Sequence, residues 1–265
     1  METEFMQAIR ENNTEKVRTM LAETPKLANA KDEQSIALHY AAGEGQKKIV
    51  ALLIANGADI DAKSKTYRGW TALHFAVDSN NRDMVEFLVA KGADVNAKGK
   101  RGITPICCYP HSQVGEFDWD IVRFLIDHGA RINWKSKCGR ILLRDAAGWA
   151  PEEIVRLLLD KGAIVNTKAD YGYSALHAAA GRSDKDLKVV ELLVARGAQI
   201  DAEWNGATPL HRAAWSGNAQ AAEFLISKGA NVNAKDQRGR TPLAWAIEKG
   251  YDDVAELLRK HGAVE

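Results

Sequence analysis

The stretch at residues 208–235, TPLHRAAWSGNAQAAEFLISKGANVNAK, recurs with small changes along the chain. A repeated unit constrains a fold more tightly than any other sequence feature, because each copy must satisfy the same contacts. Thr208 can cap free amides at a helix start, and Pro209 follows at the first helical position, where its missing N–H costs nothing. Leu210, Ala213 and Ala214 form an apolar stripe at helical spacing, and Gly217 supplies the left-handed residue that ends a short helix. A second helix is expected through Ala221, Ala222, Phe224, Leu225 and Ile226, ending at Gly229, with ANVNAK extended and turn-like after it. One unit is thus two antiparallel helices and a hairpin arm.

The opening box returns as TPL at 241–243, TALH at 71–74, SALH at 174–177, IALH at 36–39, TPIC at 104–107 and a degenerate ILLR at 141–144. Glycines at 57, 92, 129, 162, 197, 229 and 262 mark one register, with separations of 35, 37, 33, 35, 32 and 33 residues. A period near 33 with this box resembles the ankyrin-repeat family over nearly the whole chain. That resemblance implies an all-α solenoid of about eight helix-turn-helix units with short β-hairpin-like tips. Residues 1–265 then read as a single ankyrin-repeat domain. The repeats run 1–31 (N-terminal cap), 32–63, 64–98, 99–135, 136–168, 169–202, 203–235 and 236–265 (C-terminal cap).

The departures are informative. Repeat one lacks the box and carries polar residues such as Gln7, Arg10 and Arg18, as a terminal unit with no outer neighbour requires. The tip before Trp70 is two residues longer than the next one, so an aromatic-basic finger is expected to project there. Repeat four gains four residues near 109–118 and has Tyr109-Pro110 where other repeats have small pairs; proline there should stop its first helix early. Repeat five has Ile141-Leu142 in place of the cap and proline, and repeat six has a two-residue insertion near 182–185. A soft joint is expected across 104–150, unless Phe117 and Trp119 fold back over the defect.

Hydrophobic content of 46% and charged content of 27% suit a folded chain. The net charge of +1 gives no strong pull toward nucleic acid, and no apolar run near 18 residues or leading signal peptide is present. Three cysteines without framework spacing fit a reducing compartment. The expectation is a cytoplasmic monomer that binds neither membrane nor nucleic acid and needs no cofactor.

His39, His74, His177 and His211 share the fourth box position, where repetition predicts a structural hydrogen bond between repeats and no catalysis. No phosphate loop, zinc-protease or dinucleotide fingerprint is present, so the chain is not expected to be an enzyme. Cys107, Cys108, His111 and Cys138 offer an alternative, a metal- or redox-regulated adaptor centred on repeat four, although a structural zinc site wants four ligands at regular spacing. The ankyrin resemblance adds another: Leu88 followed by Asp94-Val95-Asn96 is similar to the motif modified by ankyrin-directed asparagine hydroxylases.

The aromatic residues point to binding. In the ankyrin family, partners bind the concave surface made by hairpin tips and first helices. Tyr67, Arg68, Trp70, Tyr171, Tyr173 and Trp204 fall at tips. Trp149 and Trp215 follow the small pairs, and Phe75, Arg212 and Trp245 share a register with Tyr40, Cys108, Asp145 and Ala178. Such variation suggests that packing does not dictate this register, and aromatic-arginine clusters make hot spots. These residues are the expected partner-binding set, for a protein or peptide of acidic character given the basic-leaning tips. Trp119 and Trp134 are assigned to packing.

Overall fold

A computed structural model describes all residues except 32–35, 66–67, 109–116, 136–140, 169–171 and 265. Pro110, His111 and Cys138 lie outside the described residues, as do Tyr67 and Tyr171. The fold is all-α: among the described residues β pairing is confined to three isolated bridges, each at a hairpin tip. The chain divides into two compact units, residues 1–131 and 132–265.

In the N-terminal unit, helices pair as α1 (Glu2–Arg10) with α2 (Thr14–Glu23), α3 (Ala37–Gly43) with α4 (Lys47–Ala55), and α5 (Ala72–Asp78) with α6 (Arg82–Ala90). Among the described residues repeat four has two 3₁₀ turns, Lys100–Gly102 and Pro105–Cys107, before α7 (Asp120–Asp127). The C-terminal unit continues with α8 (Leu142–Trp149) and α9 (Glu152–Asp160), α10 (Ala175–Ala180) and α11 (Leu187–Ala195), α12 (Pro209–Ser216) and α13 (Ala219–Ser227), then α14 (Pro242–Lys249) and α15 (Asp252–Lys260).

The box is a bolt between repeats. The hydroxyls of Thr71, Ser174 and Thr208 and the histidines three residues on satisfy the first-turn amides reciprocally. In repeat three the Thr71 amide donates to Nδ1 of His74 at 3.1 Å, so Nε2 carries the proton and donates to the Ile103 carbonyl at 3.0 Å. His177 and His211 donate in the same way to the carbonyls of Ala207 and Arg240, each at 3.0 Å. Burial holds all these rings neutral, with His74 and His177 pushed down to about 4. His39 keeps the outer bond, 2.8 Å to Ala62, but Ile36 offers no hydroxyl, and the buried Nδ1 of His39 has no partner among the described residues.

Behind five of the boxes the small pairs Ala41-Ala42, Ala76-Val77, Ala146-Ala147, Ala179-Ala180 and Ala213-Ala214 are fully buried, which lets first helices pack closely. Asparagines before the second helices are a further cap: Asn13, Asn81 and Asn218 accept from the amides of Lys16, Met84 and Ala221.

A second ladder ties the hairpins. Asn29, Asn96, Asn133, Asn166 and Asn233 each donate to a glycine carbonyl of the next repeat, at Gly57, Gly129, Gly162, Gly197 and Gly262. Each also accepts a backbone amide two residues beyond that glycine. Both ends of the amide are used, so the VNA consensus around Asn96 has a structural cause. The insertion of repeat six is also a device. Buried Arg182 donates to the carbonyls of Ala147 and Ala150 at the end of α8, where Pro151 stops the helix, and pairs with Asp184.

Candidate interaction face

In the C-terminal unit, the tips and first helices bring aromatic rings and cations together. Trp204 and Ala207 exchange backbone hydrogen bonds of 2.8 and 2.9 Å around Asn205-Gly206, both at positive φ, which is the two-residue turn that an Asn-Gly pair favours. The next tip lies against it: the Gln237 amide donates to the Asn205 carbonyl at 3.0 Å, and a Cβ on Gly206 would sit 2.9 Å from the Gln237 nitrogen. Glycine is required there by close approach of two backbones.

Between these tips lies a cleft of about 340 Å³, walled by Trp204, Asn205, Gln237, Arg238, Arg240 and Trp245 with Asp236 in its floor. Asp236 is buried and fully engaged: it accepts from the amides of Arg238 (2.8 Å) and Arg240 (2.9 Å), from Arg240 Nε (2.9 Å) and from Trp245 Nε1 (3.0 Å). Burial alone would raise its pKa, but these donors outweigh it and hold the carboxyl below the usual range.

Beside the cleft, three of the rings carry a cation. Arg240 lies 5.1 Å from the Trp245 ring, Lys249 Nζ 3.4 Å from that of Trp215, and Arg212 6.0 Å from that of Tyr173. Trp215 meets Trp245 edge-on at 5.4 Å, and Tyr173 meets Trp204 edge-on at 4.9 Å. Tyr173, Trp204, Arg212 and Trp215 are half-buried, as large side chains at a surface hot spot are.

Trp245, by contrast, is buried at 6% exposure, backing the cleft as a wall. Cys108 and Asp145 share its register and are buried as well, so packing does fix this register in three repeats, contrary to the variation argument.

In the N-terminal unit the expected projecting finger is corrected at Trp70. Its indole is 2% exposed, stacked 6.0 Å from His74, edge-on to Phe75 at 5.5 Å and covered by Arg68 at 5.3 Å. Trp70 directly precedes its cap, Thr71, in the register of buried Ile103 and Ala207, whereas Trp204 stands four residues before Thr208. Grouping both as tips hid that difference. Phe75 is half-buried and stacks on His39 at 5.3 Å, and Arg68 is exposed. Trp149 is half-buried at the end of α8. Phe117 is buried edge-on to Trp119 at 5.1 Å. Trp134 is half-buried, and Cys107 and Cys108 are buried.

Lys249, Asn205 and Gln237 were not singled out from sequence. The Asn-Gly pair at 205–206 signalled the turn, but nothing local announces that Lys249, on the last turn of α14, covers a ring of α12. Among the described residues no group of three or more His, Cys, Asp or Glu is placed to hold a metal ion, and no helix is long and apolar enough to cross a membrane.

The family model described as ankyrin repeats in three copies matches residues 5–99, 111–203, 165–236 and 184–264. Similar relatives include the potassium channel AKT1 of Oryza sativa subsp. indica, 36% identical over 81 residues, 30% of this chain and 9% of that protein. Rabankyrin-5 of Mus musculus is 43% identical over 61 residues, 23% of this chain and 5% of the relative. The Neurogenic locus Notch protein of Drosophila melanogaster is 37% identical over 82 residues, 30% and 3% respectively. The matched segments thus span less than a tenth of these relatives. With family matches across most of its length and the repeat geometry just described, the chain belongs to the ankyrin-repeat family.

Proposed function

We propose that this chain is a non-catalytic module that binds a protein or peptide partner through the face of its hairpin tips and first helices, the concave face in this family. The observation that carries it is the half-buried set Tyr173, Trp204, Arg212 and Trp215, whose rings and guanidinium are held rigid by one another and by Lys249. Aromatic and arginine side chains fixed in advance lose little entropy on binding, the property of interface anchors. Trp245 supports this set from behind, and half-buried Trp149 at the end of α8 is counted with it. Phe75 and Arg68, over buried Trp70, are the corresponding contacts in the N-terminal unit.

The test uses phage-displayed random 12-residue peptides selected on the intact protein. Recovered peptides should bind Trp215→Ala more weakly by about 2 kcal/mol or more, with Trp204→Ala similar. Binding that survives Trp215→Ala while the melting temperature falls sharply would place the ring in the core and remove this face.

A further inference from the structure

We propose that the cleft between Trp204 and Trp245 seats a carboxylate side chain, so that the bound segment is an acidic peptide; this rests on the partner-binding reading above. The cleft's own chemistry makes the choice. A cationic ligand needs a free acceptor or an open ring face. Both oxygens of Asp236 are already taken by four donors. The rings of Trp245, Trp215 and Tyr173 already carry Arg240, Lys249 and Arg212, and a cation on the Trp204 face would share the cleft with Arg238 and Arg240. A second cation would meet like charge at each of them.

What remains uncommitted is donor capacity. Arg240 is spent on Asp236 and Glu248. The guanidinium of Arg238, exposed at the cleft wall, makes no ion pair or side-chain hydrogen bond among the described residues, and neither do the side-chain amides of Asn205 and Gln237. On the neighbouring helix, Nε of Arg212 is buried without an acceptor among the described residues, its guanidinium held between Tyr173 and Gly181. The lining carries two cations, Arg238 and Arg240, against one carboxylate, Asp236, while Arg212, Lys249, Glu248 and Glu203 stand outside it. A volume of about 340 Å³ admits a side chain with its flanking backbone. The Trp204 ring then packs on the aliphatic stem while Arg238 takes the carboxylate.

The peptides recovered on the intact protein test this directly. Those whose binding depends on Trp215 should carry Asp or Glu. In fluorescence anisotropy, replacing these by Asn or Gln should weaken binding at least tenfold at 50 mM salt and less at 300 mM. Arg238→Gln, at an exposed position that leaves the fold intact, should remove most of the difference between the acidic and amide peptides. Trp215-dependent peptides that are neutral or basic, or equal affinity for the acidic and amide forms, would overturn the acidic class and leave the partner-binding face standing. A single-stranded thymidine 12-mer binding more tightly than the best peptide would also overturn it, in favour of phosphate. Recovery of no Trp215-dependent peptide would remove both readings.

Discussion

The Thr208–His211 and Thr104–Cys107 boxes occupy the same slot in repeats seven and four, and both begin with Thr-Pro. The first opens the eight-residue helix α12, whereas the second makes one 3₁₀ turn. Two differences account for this. His211 takes the Thr208 amide on Nδ1 and reaches the Arg240 carbonyl with Nε2, whereas the Cys107 thiol meets the Thr104 hydroxyl at 3.8 Å. The chain beyond also differs: Ala213-Ala214 continues one helix, while Pro110 would remove a donor and crowd the carbonyl four residues back in the other. A cap and a proline therefore start a helix only where the following residues allow a second turn; α14, with Ala244 at the fourth position, forms without the histidine bolt.

Acid should break this contrast most strongly. His74 and His177 are held near 4 by burial, below the ordinary value of 6.5, so the unfolded chain binds more protons between those limits. Their contribution is complete above pH 6.5 and is lost as pH falls toward 4, at roughly 3 kcal/mol for each ring. His39 and His211 shift in the same direction, again through burial. Urea unfolding should therefore lose on the order of 4 kcal/mol between pH 7 and pH 5. Hydrogen exchange should place the loss in repeats with a histidine box and spare the turn at Pro105–Cys107. Stability that is flat over that range would mean the rings are not neutral bolts.

Repeat five poses the same problem with a different solution. Ile141 caps α8 without a side-chain bond, and Pro151 follows its end, yet Arg182 closes the exposed carbonyls of Ala147 and Ala150. Arg182→Ala leaves those carbonyls unsatisfied and Asp184 without its partner, at an expected cost of about 2 kcal/mol in urea unfolding. A neutral effect would mean that water replaces the guanidinium and that the insertion is not a clamp.

The period, the caps, the helix-ending glycines and the structural role of the histidines were all legible in sequence, because they repeat and each copy votes for the same geometry. The Asn29-type latch was visible only as a hairpin consensus, since its partners lie about thirty residues ahead. The candidate face was half legible. Trp204 and Trp215 emerge as half-buried rings, but Trp70 is buried because a shift of a few residues along a tip exchanges inside for outside, and Trp245 because packing fixes its register on the first helix. The cations over the rings were not legible, as they come from neighbouring helices.

Exchange kinetics sharpen the comparison within repeat four itself. Phe117 is buried edge-on to Trp119, and the Asp118 amide donates to Asn80 at 2.8 Å. The turn at Pro105–Cys107 nevertheless has few backbone bonds to break. Its amides should exchange roughly tenfold faster than those of α12, about 1.4 kcal/mol in opening free energy. Equal protection would show that the covering aromatic pair restores what the missing helix lost.

The smallest expected effect isolates one hydroxyl. Ile36 precedes α3 in the extended conformation (φ −86°, ψ 145°) close to that of Thr71 before α5 (φ −92°, ψ 171°), so threonine fits its backbone. Its hydroxyl would donate to the buried, unpartnered Nδ1 of His39, as Thr71 does to His74 at 2.8 Å. Satisfying that nitrogen and capping the first turn should each contribute about 1 kcal/mol. Ile36 is half-buried, so losing one methylene offsets part of this, about 0.8 kcal/mol at most. Valine has threonine's shape without the hydroxyl, which makes Ile36→Val the proper reference. Ile36→Thr should exceed Ile36→Val by about 1–2 kcal/mol in urea unfolding, and exceed the unaltered protein by less. Equal midpoints for the two variants would mean that the outer bond to Ala62 alone bolts His39, and that the cap half of the box is dispensable in repeat two.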